Sequence, residues 1–234
     1  MKDANIKNVS IGFSTGKDSL VGYDILKKAG FNVIPIFYYI VPDLNFVEDN
    51  IRLYERYYNM HIIRLPHPIL FDYCKKGCWQ DPFKYVQLKS YFKSPHKDFD
   101  EIRSNFFKAE GIDCEWNAVC MKMADSLNRR LYLRDRDDID LVKKYVYITK
   151  YFTTRQIWAY INEKKLPISS DYEKFGVSFD GLTYHFSIAI KRYYPKDWEK
   201  IKEMFPLIEL EILRYKAYEK KYDTKKCYNS IFRG

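Results

Sequence analysis

The sequence predicts an α/β fold: a doubly wound, mostly parallel five-stranded sheet with helices on both faces, followed by a helical C-terminal extension. Two observations predict it. Strand-like and helix-like patterns alternate through the first 65 or so residues, the signature of parallel strands joined by crossover helices. The first strand also runs into a glycine-containing turn that leads at once into an amphipathic segment, which is where such sheets carry their ligand.

The elements follow in order. Residues 9–13 are a short apolar run that reads as a buried strand. Residues 20–29 form an amphipathic helix that begins at about Asp18 and is closed by Gly30. Residues 33–40 are continuously apolar, as in a strand buried on both faces. Val47, Ile51, Tyr54 and Tyr58 recur at helical spacing, so Tyr54, Tyr57 and Tyr58 read as packing rather than as a platform for a base. Residues 61–65 are a third strand, stopped by Pro66 and Pro68. The stretch 69–117 carries Gly77, Pro82 and Pro95 and two short helices, near 83–93 and 99–109. Residues 118–122 and 145–148 supply the fourth and fifth strands. Thr153, with Gln156 three residues on, is a capping box that opens a helix ending before Pro167. A further surface helix is predicted over 206–221.

Composition bounds the function. At 234 residues, 47% hydrophobic and 18% aromatic, the chain can bury a sizeable core, and wholesale disorder is excluded. The reading is one α/β domain over residues 1–190 and a basic helical extension over 191–234, where twelve Lys or Arg stand against seven Asp or Glu. The net charge of +9 favours an anionic partner, a nucleotide or a nucleic acid. Five cysteines and an N-terminus without an apolar segment predict a reducing, cytoplasmic setting rather than a disulfide framework. No apolar run approaches the ~20 residues needed to span a bilayer, so no membrane partner is expected. Cys74, Cys78, Cys114 and Cys120 fit no standard metal spacing. Of the dispersed histidines, His185 is the one nearest a site-like context, in Thr183-Tyr184-His185 after Gly181.

The turn is Ser14-Thr15-Gly16-Lys17-Asp18-Ser19. Gly16 lets the backbone approach an anion. Ser14 and Ser19 add hydroxyl donors, Lys17 adds a positive charge, and the helix that follows points its first free amides at the turn. Together they form a cradle for a phosphate-sized group. Asp18 is the odd member, because a carboxylate repels a phosphate unless a cation intervenes or it caps the helix; both Mg²⁺ bridging and N-capping are open. The turn is not G-x-x-x-x-G-K-[ST], since Gly12 stands too close to Gly16 and Asp18 replaces the Ser or Thr, and it is not G-x-G-x-x-G.

On those residues the turn resembles the PP-loop (S-G-G-x-D-S) of the adenine nucleotide alpha-hydrolase superfamily, with Thr15 in place of the first glycine. Residues 121–129 (Met-Lys-Met-Ala-Asp-Ser-Leu-Asn-Arg) resemble the G-x-R-x-x-[ED]-S-x-x-R stretch of its PAPS reductase branch, with Lys122 where Arg is usual. Residues 152–161, with Leu166-Pro167, resemble that branch's W-T-x-x-D-V-W-x-Y-I…L-P segment. The resemblance covers residues 5 to 180. It implies a site for ATP or PAPS in which Ser14, Thr15, Gly16, Lys17, Asp18 and Ser19 cradle the phosphates and Asp125 and Ser126 line the mouth. Lys17, Asp18, Lys122 and Arg129 would be the catalytic residues, with Asp18 positioning either Mg²⁺ or the loop. The departures are that Cys227 lacks the branch's catalytic surroundings and that the chain has neither C-C nor C-x-x-C, so neither thiol reduction of PAPS nor an iron–sulfur cluster is expected. The expected reaction is cleavage between the α and β phosphates of ATP, with AMP transferred to an acceptor. A sulfonucleotide or sulfur-transfer enzyme and an idle nucleotide-binding module are the alternatives. A nucleic-acid acceptor and a homodimer are both compatible with the resemblance.

Overall fold

The computed structural model describes residues 6–88 and 98–222. In chain order the elements are β1 (Asn8–Gly12), α1 (Lys17–Lys28), β2 (Asn32–Tyr39), α2 (Asn45–Tyr58), β3 (Ile63–Pro66), α3 (Pro68–Lys76), α4 (Pro82–Leu88), α5 (Phe99–Glu110), β4 (Trp116–Val119), α6 (Leu127–Arg134), β5 (Ile139–Asp140), β6 (Tyr145–Tyr147), α7 (Thr154–Lys164), α8 (Asp171–Phe175), α9 (Tyr184–Tyr193), α10 (Pro195–Met204) and α11 (Glu209–Tyr222). They gather into two compact units, residues 1–68 with 97–180 and residues 69–96 with 181–234.

The first unit is built on one sheet with strand order β3-β2-β1-β4-β6-β5. It has six strands rather than the five expected. The extra one, β5, is a two-residue edge strand antiparallel to β6, too short and too deep in a charged stretch to show a strand pattern in the sequence. Every other pairing is parallel. Val9 pairs with Val33 of β2 on one side and with Trp116 of β4 on the other. The chain therefore leaves β1 toward β2 and returns on the far side through β4. The crevice at the carboxyl ends of β1 and β4 is the topological switch point where doubly wound sheets bind ligands.

Burial on both faces explains the apolar runs. Val9, Ile11 and Phe13 have no exposure, and Leu20 and Val21 of α1 and Ile51 and Tyr54 of α2 have none either. The Phe13 ring meets those of Tyr23 and Tyr54 edge-on, at centroid distances of 5.7 and 5.2 Å. Tyr54 and Tyr58 are thus packing residues, and Tyr58 also donates to the buried Asp24 of α1 at 3.2 Å. Gly22 sits inside α1 despite glycine's poor helix propensity, because a Cβ there would lie 2.3 Å from Cys120 Sγ at the end of β4. The α7 capping box forms in both directions: Gln156 N donates to Thr153 Oγ1 at 3.2 Å and Thr153 N to Gln156 Oε1 at 2.8 Å. From that helix Tyr160 donates to Asp24 Oδ2 at 2.6 Å, tying α7 to α1.

The second unit is helical. Ile190, Trp198, Ile201, Phe205 and Ile208 form its core. Tyr73 and Trp79 pack edge-on against Phe205, and Leu207 N donates to the Trp79 carbonyl at 2.9 Å. Three of its helices, α3, α4 and α10, open on a proline, whose missing N–H costs nothing in a first turn. Residues 89–93 of the helix expected near 83–93 lie outside the described residues. No described helix is long and apolar enough to cross a membrane.

Candidate functional site

The turn between β1 and α1 lies at the switch point. Gly16 is the N-cap of α1 in an extended conformation, so its own φ does not demand glycine. What demands it is space: a Cβ on Gly16 would lie 2.9 Å from Ser178 Oγ and 3.3 Å from Ser14 Oγ. The left-handed residue is Thr15, at φ +58° and almost fully buried, where a β-branched side chain is strained. Surrounding contacts hold it there. Tyr54 donates to the Thr15 carbonyl at 3.3 Å, Ser19 Oγ donates to the Gly16 carbonyl at 2.9 Å, and Ser14 Oγ and Ser19 Oγ lie 3.3 Å apart.

The amides decide what the turn can bind. Among the described residues, the N–H groups of Thr15, Gly16, Asp18 and Ser19 make no hydrogen bond, while Leu20 N begins the helix ladder by donating to the Gly16 carbonyl at 3.0 Å. Lys17 N is the exception and donates to the Tyr172 hydroxyl at 2.9 Å. Unbonded amides around the start of a helix are the donors that anion sites use.

Asp18 does not cap the helix: among the described residues no backbone amide donates to its side chain, which accepts from Lys17 Nζ. Its oxygens face two lysines instead. Lys122 Nζ lies 2.6 Å from Oδ1 and Lys17 Nζ lies 3.2 Å from Oδ2. Lys122 has no exposure at all and also lies 2.8 Å from Asp125 Oδ1, while Arg129 Nη1 lies 2.6 Å from Asp125 Oδ2. Lys122 therefore does not reach solvent or ligand space as a clamp; it is the buried centre of a charge chain from the turn to the start of α6. Arg129 is half-exposed on the same chain. Ser126 caps α6 by accepting from Arg129 N at 3.2 Å, so its hydroxyl serves the helix. His185 and the pair Cys74 and Cys78 belong to the second unit. Among the described residues no three His, Cys, Asp or Glu side chains are grouped to hold a metal.

Beside the turn, within the first unit, opens a cleft of about 540 Å³, the size of a small-molecule site. It is lined by Gly12, Phe13 and Ser14 of the β1 exit, by residues 36–41, by residues 117–121 at the end of β4, and by residues 178–180. Cys120 also lines it. Burial pushes this thiol up to about 12, with the Asp18 carboxylate adding to the rise and Lys122 opposing it, so it is a neutral, inert thiol at pH 7. The segment 169–180 is pinned by buried Asp171, which accepts from Asn50 Nδ2 at 2.7 Å and from Phe179 N at 2.9 Å. Sequence reasoning missed Tyr172 and Ser178 because nothing local in that stretch marks them; only the fold brings them to the turn. It also missed Asp100 and Arg103 in the cleft wall, which read as an ordinary charged helix face.

No family model matches the chain, and no curated protein matches it. Among solved structures it is similar to a predicted subunit of a tRNA methyltransferase from Methanocaldococcus jannaschii, at 17% identity over 68% of this chain and 75% of that one, with a TM-score of 0.36. It is also similar to an NH3-dependent NAD synthetase from Campylobacter jejuni, at 13% identity over 91% and 87% of the two chains, with a TM-score of 0.46.

The strain at Thr15 is testable. Replacing it with glycine relieves about 1–2 kcal/mol of left-handed strain against about 0.5–1 kcal/mol of added chain entropy. Thr15→Gly is expected to raise stability by about 0.5 kcal/mol in urea unfolding; a lower midpoint contradicts the account. Asp125 gives a pH test. Burial raises its pKa, but the Lys122 and Arg129 contacts together outweigh burial and hold it below the usual carboxylate value. A depressed carboxyl stabilises the fold above its unfolded pKa of ~3.9, and that contribution is lost as pH falls through the lower folded value. The stability gap between the wild type and Asp125→Asn should therefore shrink below about pH 4. A gap constant down to pH 2.5 would show that the carboxylate is not so held.

Proposed function

We propose that the cleft of the first unit binds ATP, with its phosphates on the turn 14–19, and that the protein cleaves between the α and β phosphates, transferring AMP to an acceptor and releasing pyrophosphate. The observation that carries this reading is the set of four unbonded amides at Thr15, Gly16, Asp18 and Ser19, at the switch point and beside a nucleotide-sized cleft. The PP-loop resemblance of the same residues supports it.

The protein's own work is positioning and charge stabilisation. The amides and the Ser14 hydroxyl hold the phosphate oxygens, while the Ser19 hydroxyl, donated to the Gly16 carbonyl, keeps the turn's shape. Lys17, its ammonium 3.2 Å from Asp18 Oδ2, adds a positive charge at the same turn for the pyrophosphate that leaves. Lys122 neutralises Asp18, so a phosphate can approach a turn that contains a carboxylate. Arg129, on the exposed end of the charge chain, can contact the ligand or the acceptor. Because each Asp18 oxygen already faces a lysine, the arrangement does not fit a resident Mg²⁺; the metal enters with the nucleotide as part of the substrate. The net charge of +9 leaves a nucleic acid as the first acceptor to try.

The test is pyrophosphate release from ATP and Mg²⁺, alone and with nucleic-acid acceptors, beside binding of PAPS. Release is expected, and Asp18→Ala, which leaves Lys122 with one carboxylate partner, should abolish turnover. Binding of PAPS without ATP would favour sulfonucleotide chemistry. Nucleotide binding without turnover under any acceptor would leave a binding module. Unchanged turnover in Asp18→Ala would refute the role given to the charge chain.

A further inference from the structure

The cleft wall away from the turn holds a second polar cluster that the phosphate chemistry does not use. Arg103 of α5 is only 6% exposed, and its Nη2 lies 2.7 Å from Asp100 Oδ1. The Tyr145 hydroxyl of β6 donates to Asp100 Oδ2. Tyr38 of β2 stands near Arg103, and burial pushes its hydroxyl up to about 12, so it stays neutral. All four side chains line the cleft. An Asp–Arg pair three residues apart on an open helix face has little meaning. Here the guanidinium is buried, and β6 brings a second donor, Tyr145, onto the same carboxylate.

We propose that Asp100 is the specificity-determining residue of this cleft, accepting a hydrogen bond from the exocyclic amino group of a bound purine. The inference rests on the nucleotide reading above and deepens it by naming what the far wall recognises. A carboxylate can accept about four hydrogen bonds. Oδ1 is buried against Arg103, so the accepting capacity that remains is on Oδ2, which takes the Tyr145 hydroxyl, on a side chain that is 44% exposed. The remaining need is for a donor. Because Arg103 already balances the charge, a neutral amino group suits the position better than a cation. Phe99, Tyr147 and Phe179 give the cleft flat aromatic walls, which suit a planar ring. A planar ring carrying an amino group is the edge that adenine presents.

The test uses calorimetric binding of two nucleotides, each with Mg²⁺, to the intact chain: ATP, and the 5′-triphosphate of purine riboside, which has hydrogen where adenine has its amino group. The wild type should bind ATP at least about tenfold tighter, as expected for a hydrogen bond to a charged acceptor. Asp100→Asn, with its melting temperature recorded, should bring the ratio near one by weakening ATP alone. If that variant does not fold, Tyr145→Phe, which frees one oxygen of the carboxylate, should still shift the ratio at least about threefold. Equal binding of both nucleotides to the wild type, or a ratio that neither variant changes, overturns the proposal while leaving the nucleotide reading standing. Failure of both nucleotides to bind overturns the two together.

Discussion

A lysine ammonium with no exposure must be met by carboxylates, and in this protein that requirement organises the site. Lys122 lies just past the end of β4 and is compensated by Asp18, at the start of α1, and Asp125, before α6. Its charge thus locks together the exits of the two strands that flank the switch point. The close approach of Gly22 to Cys120 serves the same end, because any larger residue in α1 would push the helix off β4. Removing one partner from such a buried pair typically costs 3–5 kcal/mol, so the loop position is over-determined.

That fixed frame holds the turn in place with four amides unbonded. A strained Thr15, a Gly16 crowded by two serine hydroxyls and a Lys17 amide already bonded to Tyr172 would be poor choices for a turn that served folding alone. They are tolerated because Tyr54, Ser19 and the pinned segment 169–180 hold the backbone with its remaining amides unbonded. Strain of this kind persists where the surrounding structure enforces it.

Much of this was legible in the sequence, for physical reasons that can be named. The strands at 9–13 and 33–40 were readable because central parallel strands are buried on both faces and show as unbroken apolar runs. The α7 start was readable because a capping box is a local chemical event, complete within four residues. β5 was not, since two paired residues leave no periodicity. The six loop residues were readable as a turn at the carboxyl end of the first strand, but the partner of Asp18 was not. Mg²⁺ bridging and N-capping are the local options for such a carboxylate, whereas its actual partner lies 104 positions away at Lys122. Tyr172, Ser178, Asp100 and Arg103 were hidden for the same reason: each acquires its place only through long-range packing.

The central claim is that the turn's own amides hold the phosphates. It is tested most directly by following backbone amide resonances of ¹⁵N-labelled protein during titration with ATP and Mg²⁺. The account predicts that the amides of Thr15, Gly16, Asp18 and Ser19 show the largest saturable shifts. Saturable binding that leaves those four resonances unmoved would contradict it.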